Sequence, residues 1–86
     1  MTTINNRLSE IAWQAAYDAA SNVLKLVRPA DLERNAALIF CGAVVEKAAI
    51  VFCKEHGVNY PNSVTISHKM HAAAKSAVSD WEQLVS

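Results

Sequence analysis

An all-α fold is what this sequence predicts: three helices in an antiparallel bundle, or a helical hairpin with the third laid over it, completed by homodimerisation. Three observations predict it. From Ala36 to Cys53, only Glu46 and Lys47 interrupt eighteen otherwise uncharged residues, a run too long for a strand and rich in alanine. Before it, polar residues recur at spacings of three and four, the mark of a helix with one wet face. The 52% hydrophobic content comes with only 7% aromatic residues, two glycines and two prolines, which favours helices packed at close range.

The first helix is expected from about Asn5 to Val27. Arg7, Glu10, Gln14, Asp18, Ser21, Lys25 and Arg28 form its solvent stripe. Leu8, Ala12, Ala15, Ala16, Ala19, Val23 and Leu26 form the opposite face, with Ile11 at one edge and Trp13, Tyr17 and Leu24 at the other. Arg28 precedes Pro29, which moves Arg28 out of the α region and ends the helix. So short a connection turns the second helix back antiparallel.

The second helix is expected from about Asp31, as N-cap, to His56, a length of roughly 39 Å. Gly57 falls where a left-handed C′ residue closes a Schellman arrangement, with Val58 reaching back to Cys53. Leu38, Phe40, Val45 and Phe52 sit on a helix apolar around most of its circumference, which implies burial. A membrane span is disfavoured by the adjacent Glu46 and Lys47, each costing about 2.5–3.5 kcal/mol at mid-bilayer. Gly42 is expected to mark a close approach between helices, because glycine in a helix interior costs about 1 kcal/mol against alanine.

The segment GVNYPNSVTIS reads as a loop punctuated by Pro61. The third helix is expected to start at Ser63, Thr65 or Ser67 and to run to about Val85. Its apolar face is Ile66, Met70, Ala74, Ala77, Trp81 and Leu84. The whole chain, residues 1–86, is one helical domain, small enough that any added interface matters to its stability.

Composition narrows the function classes. Eight basic and eight acidic residues cancel, which speaks against binding nucleic acid or an anionic membrane by bulk charge. No secretory signal is visible at the N-terminus, so a cytoplasmic location is expected. Cys41 and Cys53, about 18 Å apart on one helix, cannot form a disulfide with each other. The size and balance suit small accessory proteins of phages or plasmids, although no residue motif carries that likeness.

Two short spacings could carry chemistry. Cys53-x-x-His56 ends the second helix and His68-x-x-His71 begins the third, so a hairpin could gather four residues of the types zinc uses. A zinc-binding regulator is therefore one alternative, and zinc the one cofactor considered. A small all-helical enzyme is a further alternative, needing Cys53 activated by His56, or several inward cations where Arg34 and Lys47 stand alone. The leading expectation is a non-enzymatic regulator, inhibitor or adaptor that works as a homodimer through protein contacts. Leu38, Phe40, Val45, Phe52 and Trp81 are the expected self-interface. Tyr60 in the loop and Arg7, Gln14 and Asp18 on the outer stripe are the expected contacts to another protein.

Overall fold

The computed structural model describes residues 2–58 and 60–83, with side chains described over 7–58 and 64–83. Three helices follow one another: α1 (Thr2–Leu24), α2 (Arg34–Glu55) and α3 (Tyr60–Gln83), with a 3-10 turn at Pro29–Asp31 between the first two. All three pack pairwise, α1 on α3 most extensively, and the body measures 44 × 20 × 17 Å. Among the described residues there is no strand, as the all-α expectation requires.

The core is built from rows of residues four, and once three, apart. Ala12, Ala16, Ala20 and Leu24 line α1, Ala37, Cys41, Val45, Ala49 and Phe52 line α2, and all are buried. Alanine in these rows lets the helix axes approach, so i±4 ridges can interdigitate at short range. From α3, Ile66, Met70, Ala73, Ala74, Ala77, Val78 and Trp81 fill the space between. Five of the six residues expected on the apolar face of α3 are there, and Leu84 lies outside the described residues.

The buried face of α1 is turned from the expected one. Leu26 is 84% exposed, Ile11 is 46% exposed and Ala15 is exposed, while Trp13 and Tyr17 are half-buried. The reason lies on α3. The Trp13 and Tyr17 rings stack with centroids 5.2 Å apart, and the Tyr17 hydroxyl donates to the Asp80 carboxylate. Aromatic area and this bond outweigh the small gain from burying alanines on the other side.

Both helix junctions differ in detail from expectation. Regular α1 ends at Leu24, and the chain tightens through bonds from the Leu26 and Val27 amides to the Val23 and Leu24 carbonyls. Arg28 is extended at φ −81° and ψ 144°, as a residue before proline should be. Asp31 does not cap α2; it accepts a hydrogen bond from Arg28 Nε at 3.0 Å, and Glu33 takes the N-cap position without a side-chain bond. The C-terminal end of α2 follows the expected Schellman geometry. Gly57 has φ +60°, its amide donates to Lys54 O at 3.4 Å, and the Val58 amide donates to Cys53 O at 2.9 Å.

Two expectations are corrected. The loop before α3 is far shorter than predicted, because Pro61 falls in the first turn of α3, where a missing N–H costs no helical bond. Gly42 marks no close approach: a Cβ added there would meet nothing within 4 Å.

Candidate functional site

The four candidate metal ligands are not brought together. Starting α3 at Tyr60 places His68 eight residues, roughly 12 Å, into the helix and away from the α2–α3 turn. His56 and His68 are exposed, and His71 and Cys53 half-buried. Among the described residues no three of His, Cys, Asp or Glu are placed to hold a metal ion. His56 instead stacks on Phe52 with centroids 4.1 Å apart, its Nδ1 2.9 Å from the Phe52 carbonyl oxygen. That ring packs over the last turn of α2, beside a carbonyl that also accepts the His56 amide at 3.0 Å.

The cysteines are free. Cys41 is fully buried, and burial pushes its thiol above the ordinary value, away from the thiolate a nucleophile needs.

A cleft of about 660 Å³ opens at the corner where α1 ends and α3 passes beneath it. Leu24, Ala77 and Trp81 contribute apolar surface, and Lys25, Arg28 and Asp80 polar groups. Much of that polar surface is already engaged. Trp81 Nε1 donates to Val27 O at 2.8 Å, Asp80 accepts from Tyr17, and Arg28 holds Asp31. Arg34 of α2 meets Glu82 of α3 at 2.6 Å close by. These bonds lock the corner rather than leave donors waiting for a ligand. The bond to Asp80, with loss of solvent and the charge of the same carboxylate, raises the Tyr17 phenol above its ordinary 10.0.

The self-interface expected from the sequence divides in two. Val45 at 0%, Phe52 at 6% and Trp81 at 5% exposure are consumed by the chain's own core, so they have no surface to offer a second copy. Leu38 is half-buried against that core, and Phe40 is 45% exposed. What α2 presents outward is a different set: Ile39 at 76%, Ile50 at 64% and Val51 at 51%, together with Phe40. The helix was legible as apolar all round, but not which side its neighbours would take. Ala37, Cys41 and Ala49 won the inner face because small residues admit the closest helix approach.

By length and composition α2 could cross a membrane, and only 28% of its most apolar window is buried inside the chain. Of the expected contacts to another protein, Arg7, Gln14 and Asp18 are exposed on α1, with Gln14 Nε2 donating to Asp18 at 3.0 Å. The Tyr60 side chain lies outside the described residues. No protein-family model, curated protein or solved structure matches this chain.

Proposed function

We propose that this chain is a non-enzymatic protein-interaction module, working as a homodimer and acting as a regulator, inhibitor or adaptor. The observation that carries the reading is the outer face of α2, where four large apolar side chains stand 45–76% exposed on one helix. Scattered single hydrophobics are ordinary on a protein surface, but two pairs of large apolar residues on the same outer face of one helix mark an interaction site. A second copy is the commonest partner for such a face.

The stripe Arg7, Gln14 and Asp18 belongs to a different helix and stays open when α2 is covered. It is the surface through which the dimer would engage a regulated protein. The test is affinity capture from native lysate with wild type and with Arg7→Glu/Asp18→Lys. A protein recovered by the wild type and lost by the variant supports the reading. A small molecule or nucleic acid as the sole captured species refutes it.

A further inference from the structure

We propose that two copies pair through α2 in antiparallel orientation, about a two-fold axis that crosses the outer face of α2 at the level of Val45. This rests on the homodimer reading above and specifies its geometry. The four large exposed side chains of α2 are placed symmetrically in sequence: Ile39 and Val51 lie six residues either side of Val45, and Phe40 and Ile50 lie five. An antiparallel two-fold at that level sets Phe40 against Ile50 of the second copy and brings Ile39 level with its Val51, one at each rim of the contact. Both apolar clusters of each helix, about 16 Å apart along the axis, are covered at once.

The residues between the clusters choose the orientation. Ala36, Phe40, Ala43, Lys47, Ile50 and Lys54 recur at alternate spacings of four and three, which is the seam of a pairing helix. In a parallel pair Lys47 would face Lys47 of the second copy, like charges in the middle of an apolar contact. In the antiparallel pair Lys47 faces the small Ala43 of the other copy. Its methylene stem packs there, and its ammonium lies about one helical turn from the second copy's Glu46. A polar residue at one seam position fixes register in this way.

The same two charges decide against lipid as the cover, since they occupy the centre of the face that would meet the acyl chains. The four side chains stand 45–76% exposed, a group of the kind that forms functional surface patches. With Ala36, Ala43 and the lysine stems the contact reaches the low end of specific interfaces, so the dimer should be of moderate affinity.

Disulfide trapping tests the arrangement. Phe40→Cys and Ile50→Cys are made separately in a Cys53→Ser background, Cys41 staying buried in the core. Each is oxidised alone and as an equal mixture, with mass measured by light scattering before oxidation. Covalent dimer about ten-fold more abundant in the mixture than in either variant alone is expected, because only unlike positions come within the roughly 7 Å a disulfide requires. Self-linking of each single variant would establish a parallel pair and overturn the proposal. Dimer mass without mixed linking overturns this arrangement while leaving the homodimer standing. A monomer that sediments with phospholipid vesicles overturns both.

Discussion

Replacing Gly42 with alanine should stabilise the chain. The residue lies in the interior of α2, half-exposed, and an added Cβ would meet nothing within 4 Å. No steric cost therefore offsets the entropy gained by removing glycine from a helix, which is about 0.8–1.0 kcal/mol. For a domain of this size that corresponds to a rise in Tm of roughly 4–8 °C. The proposed dimer seam does not change the sign, because Gly42 is turned about 100° from Ala43, at the rim of the contact. Thermal melts followed at 222 nm, with urea denaturation to check that the m-value is unchanged, measure the effect. A neutral or destabilising Gly42→Ala would mean that another surface seats directly on this flank, contrary to the reasoning.

Met70 is fully buried where α3 meets both other helices, so Met70→Ala should cost about 2–5 kcal/mol in chemical denaturation; a loss under 1 kcal/mol would show a core that collapses around the cavity. Tyr17 should ionise above 10.0 in an absorbance titration at 295 nm, and Asp80→Asn should lower its midpoint. Because the folded pKa is the higher one, the stabilisation from this bond is present below the unfolded value near 10 and is lost as pH rises through the folded value. Cys53 should react with iodoacetamide well before Cys41, which is buried with a raised thiol pKa; equal rates would require the core to open readily.

Much of the fold was legible because its signals are local. The exposed stripe of α1, the apolar face of α3 from Ile66 to Trp81 and the left-handed Gly57 each follow from spacing or from the chemistry of one residue. The less legible parts depend on partners distant in sequence. Asp31 is a sound cap by type, yet Arg28 three residues earlier competes for its carboxylate. Trp13 and Tyr17 stand at the edge of the predicted α1 face until Asp80 on α3 supplies a partner and turns the helix. Pro61 marks a break in a sequence and a first turn in a helix equally well; read as a break it starts α3 several residues late and places His68 and His71 beside the α2–α3 turn. On α2 no periodicity separated inner from outer residues, since both faces are apolar. Val45, Phe52 and Trp81 were therefore expected in an interface when they are core, and Ile39, Ile50 and Val51 were missed as surface.

The central claim is that the outer face of α2 is covered by a second copy. Size-exclusion chromatography with light scattering across a micromolar concentration series tests it most directly, comparing wild type with Phe40→Glu. The account predicts twice the chain mass of 9.4 kDa for wild type, falling to a single chain in the variant with helicity unchanged. A wild-type protein that stays soluble and monomeric throughout the series would contradict it.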